Sequence, residues 1–339
     1  MRTPRALRAL VAVTALLLVS PTAAVAADDR ATRDRDAHLP TSYVLDPAGV
    51  ANPNIFPEGV AARGNTFYVG STTDGTVYRG DVREPVATPF LLPGEDGRTS
   101  AVGMKVDGRT LFVAGGATGR VFAYDTRTGD LTGSWTVANP TDPANPTFLN
   151  DLVVTRGGDV YVTDSRRPVL YRIDADERRT DGVADLPVFL SFAGTPVQYG
   201  TGFNVGGIAA SPDGRTLVLA QSNARALFRV SLDDRAVTAI DLGGEPVGGD
   251  GLVLVGRSTL YAIERQGDLG YVVTVDLDRD LGSGEVLGRT PDASFDDPTT
   301  AARVGRSLLV VNSQFGARNA GVPPTPPFTV SRVALPSAR

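Results

Sequence analysis

An all-β chain built from six copies of one four-stranded unit is what this sequence predicts, and three observations carry the prediction. The first is a pattern of apolar run, Gly-rich turn, apolar run and polar end, clearest over residues 148–165 (FLNDLVVTRGGDVYVTDS). It is the signature of two antiparallel strands joined by a tight turn. The second is recurrence: FPEGVAARGNTFYVGS from Phe56, SAVGMKVDGRTLFVAG from Ser100, NVGGIAASPDGRTLVLAQS from Asn204, GGDGLVLVGRSTLYAIE from Gly248 and DPTTAARVGRSLLVVNS from Asp297. The third is spacing. The residues opening the six first runs, Glu58, Val102, Asn150, Gly206, Asp250 and Thr299, lie 44, 48, 56, 44 and 49 residues apart, the length of one propeller blade. A six-bladed β-propeller over residues 41–339 is therefore expected.

Taken in order, residues 1–26 carry Arg2, Arg5 and Arg8, an apolar stretch from Ala9 to Val19, and Ala24-Val25-Ala26. This matches a signal peptide with its small-residue cleavage site, so a secreted protein is expected, with an uncleaved anchor as the alternative. The apolar stretch is too short for a spanning helix, and no later run reaches the roughly 20 apolar residues a membrane span needs. Residues 27–40 (ADDRATRDRDAHLP) read as a flexible linker holding His38, the sole histidine, where a solvated rather than a functional role is expected.

A short strand at residues 41–45 (TSYVL) precedes the first hairpin, and the last hairpin is followed by one terminal strand, PFTVSRVAL from Pro327. The last blade is one strand short, so the N-terminal strand is expected to join the C-terminal blade and close the ring. Third strands follow most hairpins, as in GTVYRGDV from Gly75 and ALFRVSL from Ala226. Residues 138–147 read as a turn-rich loop, 180–201 as a lid or extra strand, and 316–327 (GARNAGVPPTPP) as extended polyproline-like chain.

The exported chain has no cysteine, so its stability rests on apolar core, hydrogen bonding and ring closure. Loss of residues 1–26 takes the formal charge from −5 to −8, since that stretch holds three Arg and no acid. An acidic chain without a basic run argues against a nucleic-acid partner. Without cysteine or a structured histidine, no Ser/His/Asp or Cys/His machinery is available. DLDRDLGSGE from Asp276 fails as an EF-hand because Leu281 and Leu287 stand where Gly and Glu are required. A small-molecule ligand or substrate, no organic cofactor and a monomeric state are expected.

The innermost strand of each propeller blade lines a central channel, so the six opening residues converge. Four are polar: Glu58, Asn150, Asp250 and Thr299. Two carboxylates and a carboxamide without a basic partner resist burial unless a cation is present. Hard oxygen donors favour Ca²⁺, with Mg²⁺ or Mn²⁺ as alternatives; the competing reading is that these residues bridge strands or hold channel water. Antiparallel pairing puts the ends of the second strands on the same face, which makes Asp164, Ser165, Gln221 and Asn312, together with Thr299, a polar mouth for a substrate. Ordinary strand-end hydrogen bonding is the alternative for each.

At Glu58-Gly59, Asn150-Asp151, SPDGRTL from Ser211 and Asp250-Gly251, the chain resembles the senescence marker protein, gluconolactonase and luciferin-regenerating enzyme family of six-bladed propellers, over residues 57–313. The resemblance implies a divalent cation, usually Ca²⁺, held by a Glu, two Asn and an Asp. Glu58, Asn150 and Asp250 match three of these; Gly206-Gly207 stands where the family has Asn-Gly. Asn204, two residues earlier, is the candidate replacement because period-2 alternation points it the same way. The implied activity is hydrolysis of lactones or small esters, with a metal-polarised carbonyl and metal-bound water in the channel and Asp250 as the base. The alternatives are a non-catalytic propeller that binds a small ligand or protein at the polar mouth, or the same scaffold turned to isomerisation or dehydration.

Overall fold

Twenty-five short strands account for nearly all regular structure in the computed structural model, which describes residues 38–267 and 269–337. The expectations for residues 1–26 and for most of 27–40 lie outside the described residues. After β1 (Ser42–Leu45), the first meander is β2 (Pro57–Arg63), β3 (Thr66–Ser71), β4 (Val77–Asp81) and β5 (Val86–Leu91). The second is β6 (Met104–Asp107), β7 (Thr110–Ala114), β8 (Arg120–Asp125) and β9 (Leu131–Thr136). Next come β10 (Leu149–Val154), β11 (Val160–Asp164), β12 (Val169–Ile173), β13 (Val183–Asp185) and β14 (Val188–Ser191). A fourth run is β15 (Val205–Ala210), β16 (Thr216–Gln221), β17 (Ala226–Ser231) and β18 (Val237–Ala239). The fifth is β19 (Leu252–Val255), β20 (Thr259–Gln266), β21 (Leu269–Leu277) and β22 (Gly284–Pro291). The chain ends with β23 (Pro298–Val304), β24 (Ser307–Asn312), helix α1 (Phe315–Ala320) and β25 (Thr329–Ala334).

Tight turns set the register of the first hairpins. Arg63 pairs with Thr66, Asp107 with Thr110 and Val304 with Ser307, each across two residues led by a glycine at φ near +60°. That left-handed conformation matches the twist of the flanking strands and favours glycine over residues with a Cβ. Each meander then buries both faces. Leu217, Leu219 and Val230 of the fourth meander meet Leu170 and Phe189 of the third on one side, while Val218 and Ala220 meet Leu260 and Val273 of the fifth on the other. Burying each Leu or Val contributes about 1.5–3 kcal/mol, which is how the sheets hold one another without disulfides.

β1 pairs antiparallel with β25 (Tyr43 opposite Val330) and parallel with β5 (Val44 opposite Val86), so one eight-stranded sheet joins the first and last meanders. Tyr43 is fully buried, packs on Phe67 at 4.9 Å and donates its hydroxyl to Val82 O at 2.8 Å. Residues 180–201 provide two strands: β14 completes the third meander, and β13 adds parallel to β9 at the edge of the second. One expectation is corrected. The stretch read as polyproline-like opens with α1, because Ala317 and Arg318 favour helix and Gly321, at φ +67°, caps it by donating to Arg318 O. None of the described helices is long and apolar enough to cross a membrane.

Candidate functional site

The first strands of the meanders lie side by side: β2 packs against β6, β6 against β10, β10 against β15, β15 against β19, β19 against β23, and β23 against β2. The opening residues stand at the starts of β2, β10, β15 and β23 and two residues ahead of β6 and β19, and a register shift sits there in the first four, between Pro57 and Val60, Leu149 and Leu152, Val205 and Ile208, and Pro298 and Ala301. Such a bulge re-aims side chains that regular alternation would send to opposite faces. Glycine at the next position lets the strands approach. A Cβ on Gly59 would lie 1.9 Å from Val102 O, one on Gly103 2.4 Å from Asn150 O, and one on Gly251 2.0 Å from Thr300 Oγ1. In place of those side chains run hydrogen bonds between meanders: Gly103 N to Asn150 O at 2.7 Å, Gly251 N to Thr299 O at 3.0 Å, and Thr299 Oγ1 to Glu58 O at 2.8 Å.

Asn150 and Asp250 converge in front of Gly206. The point where a Gly206 Cβ would stand is 3.2 Å from Asp250 Oδ1 and 3.4 Å from Asn150 Nδ2. Asn150 Nδ2 donates to Ser165 Oγ at 2.9 Å, and that hydroxyl donates to Val205 O at 2.8 Å, which fixes the carboxamide and leaves its Oδ1 without a partner among the described residues. Glu58 is 7% exposed, and its Oε2 is buried with no hydrogen-bond partner. Burial pushes the Glu58 carboxyl well above the usual range; the charges of Asp250 and Asp151 add to the shift and Lys105 opposes it. Asp250 is raised to about 7 by burial and by the charge of Asp151.

Sequence reasoning passed over two members of this group. Asp151 follows Asn150, where the other copies have glycine or threonine. It is buried; its Oδ1 accepts from Leu152 N at 2.8 Å, and its Oδ2 is buried without a partner. Burial raises its carboxyl, against the lowering influence of Lys105 and of the Leu152 and Ile208 amides. Lys105, the only lysine, stands on β6 with Nζ 4.0 Å from Asp151 Oδ1. The signal for it is positional: Lys105 is three residues past the opening residue, where the other copies have Ala61, Val153, Ala209, Val253 and Ala302. All six line one cavity of about 220 Å³ on the turn side of the acids. The acids thus have the basic partner that the sequence reading took to be missing.

The remaining candidates hold the loops that enter each meander. Asp164 Oδ1 accepts from Phe148 N, Arg166 N and Arg167 N at 2.9–3.0 Å, and its Oδ2 from Thr147 Oγ1. Gln221 Nε2 donates to Gln198 O at 2.7 Å, and its Oε1 is buried and unpartnered. Asn312 accepts from Asp296 N at 3.1 Å and donates to Ser294 O at 3.0 Å. Asn204 points into its own loop: Oδ1 accepts from Gly200 N at 2.7 Å and Asn223 Nδ2 at 2.9 Å, and Nδ2 faces Ser165 O, Gly200 O and Gly202 O. Its carboxamide is spent on these bonds, whereas Glu58, Asn150 and Asp250 keep oxygens that no donor reaches among the described residues. Among the described residues, no three His, Cys, Asp or Glu side chains form a ready-made metal cage. Glu58 Oε2 and Asp151 Oδ2 are each buried without a hydrogen-bond partner, and carboxylate oxygens of this kind are the donors a hard cation prefers.

Neither family models nor curated protein sequences give a match to this chain. Solved structures do. The chain is similar to the major Malassezia sympodialis allergen Mala s 1 (TM-score 0.62, 14% identity, 87% of this chain and 96% of that one). It is also similar to regucalcin, a calcium-binding protein from Agrobacterium tumefaciens (TM-score 0.59, 19% identity, 87% and 94%). A third likeness is to virginiamycin B lyase from Staphylococcus aureus (TM-score 0.56, 10% identity, 87% and 98%). At these identities the likeness concerns the fold, and it supports a β-propeller.

Proposed function

We propose that the six meanders are the blades of a closed six-bladed propeller, and that the polar end of its channel is the site of a secreted, divalent-metal-dependent hydrolase of lactones or small esters. The observation that carries this reading is the convergence of Asn150 and Asp250 on the space before Gly206, with Glu58 close enough to feel the charge of Asp250. Glu58, Asn150 and Asp250 would hold the cation, Ca²⁺ before Mg²⁺ or Mn²⁺ because every donor is a hard oxygen. When bound, such an ion polarises a carbonyl and acidifies water. Asp250 is the base, its carboxylate facing the space before Gly206. Ser165 keeps the Asn150 carboxamide oriented. Asn204 serves the loop that precedes the fourth blade, and Asp164, Gln221 and Asn312 shape the mouth through the loops they fasten. Replacing Asp250 with Asn should abolish turnover of a lactone panel in added Ca²⁺, and calorimetric titration after chelation should show one ion bound per chain. Undiminished turnover removes Asp250 from the mechanism.

A second reading, a non-catalytic propeller binding a small ligand at the same mouth, is favoured by Gly206, which supplies no fourth side chain, and by an aromatic shelf nearby. Phe203 is half exposed, meets Phe148 edge-on at 4.8 Å and carries Arg166 over its ring at 4.5 Å. Cation binding without turnover on any ester or lactone would select it.

A further inference from the structure

Two stretches that the channel site leaves unused, SPDGRTL from Ser211 and DLDRDLGSGE from Asp276, meet at a cavity of about 490 Å³. It lies past the far end of β15: Ser211 follows the last residue of that strand, roughly 16 Å along the strand from Gly206. Five arginines line it. Arg156, Arg215, Arg257 and Arg279 come from the β10–β11, β15–β16, β19–β20 and β21–β22 turns, and Arg229 from β17. Packing brings these turns together. The point where a Gly214 Cβ would stand is 3.3 Å from Arg156 Cβ, and Leu281 is buried in the same apolar cluster as Val218 and Leu252, which seats the turn carrying Arg279.

Asp213, Asp233 and Asp280 line the same cavity, and two of them are engaged. Asp233 pairs with Arg215, and Asp213 accepts from Ser211 Oγ at 2.5 Å and Arg215 N at 3.1 Å. Arg156, Arg257 and Arg279 form no ion pair or side-chain hydrogen bond among the described residues, and Arg229 has its Nε buried without a partner. Five guanidinium groups against three carboxylates leave two positive charges in one cavity, on a chain whose net charge is −5. Like charges held close together repel, and an anion between them relieves the repulsion.

We propose that this cavity is a binding site, separate from the channel, for a small molecule carrying a dianionic tetrahedral oxyanion, a phosphate or sulfate ester. Guanidinium groups present paired N–H donors that match such oxygens, and their charge does not titrate away. The volume is that of a small-molecule site, so the organic part of the ester has room beside the anion. The site stands whether or not the channel holds a metal.

The test titrates the whole chain by calorimetry at about pH 8, where phosphate is a dianion, with inorganic phosphate and separately with sulfate, chloride holding the ionic strength constant. Saturable uptake of one oxyanion per chain is expected, and the tighter of the two names the ester. Arg257→Gln and Arg279→Gln, both at exposed turns, should each weaken binding about tenfold, the worth of one charge-assisted hydrogen bond, with the melting temperature unchanged. Arg127→Gln removes the same charge from an exposed turn outside the cavity and should leave the affinity as it was. Wild-type chain that takes up neither anion overturns the proposal, as does an affinity unchanged in both cavity variants or lowered equally in Arg127→Gln.

Discussion

At the scale of single residues, the site depends on which side chains keep free oxygens after the fold has used the rest. Thr299 and Ser165 are consumed by bonds between neighbouring meanders, Asp164 by three backbone amides and a hydroxyl, and Asn204 by its own loop. Gly206 is the informative departure. It faces the gap between Asn150 and Asp250, and its φ lies outside the left-handed range, so a side chain there meets tight contacts but no backbone strain. Gly206→Asn is expected to add a donor and tighten Ca²⁺ binding about tenfold, equivalent to about 1.4 kcal/mol, measured by calorimetry. Weaker binding would show that the neighbours cannot yield the few tenths of an ångström the Cβ requires.

At the scale of elements, β1 connects the two ends of the chain. It offers one edge to β25 and the other to β5, and Tyr43 anchors it through Phe67 and Val82 O. Removal of residues 41–46 exposes both edges and the cavity left by Tyr43. It should lower the melting temperature by about 10 °C or more, since loss of one buried aromatic alone costs about 3–5 kcal/mol; an unchanged midpoint in a thermal scan would show that β1 is dispensable. The strand was legible because counting strands left the last meander one short. α1 was not, because the surrounding Gly and Pro residues masked a six-residue helix that ends where Gly321 permits.

At the scale of the whole molecule, an acidic chain concentrates part of its negative charge at its centre. Burial raises Glu58, Asp151 and Asp250 together, with repulsion from neighbouring acids adding at Glu58 and Asp250, so in the absence of a cation the native state binds more protons there than the unfolded chain does. By linkage, stability then falls as pH rises, over a window that for Asp250 runs from its unfolded value of 3.8 to about 7. In chelator, the melting temperature should therefore decline between pH 5 and pH 7.5. Asp250→Asn should flatten that decline, and saturating Ca²⁺ should reverse its sign by favouring the ionised forms. A wild-type profile that rises with pH in chelator would count against this account.

The run of antiparallel strands, the hairpin turns and the recurrence of the first strands could be read from the chain itself, since period-2 alternation, paired glycines and a repeat near 50 residues are local properties of the sequence. Which polar groups remain available could not. That depends on bulges that turn Asn150, on strands close enough for Gly103 and Gly251 to replace side chains with hydrogen bonds, and on a loop folding back to consume Asn204. Lys105 shows the same division: its identity is visible in one copy of six, but its pairing with Asp151 exists only once distant first strands are packed around one cavity, because electrostatic coupling depends on distance in space and not along the chain.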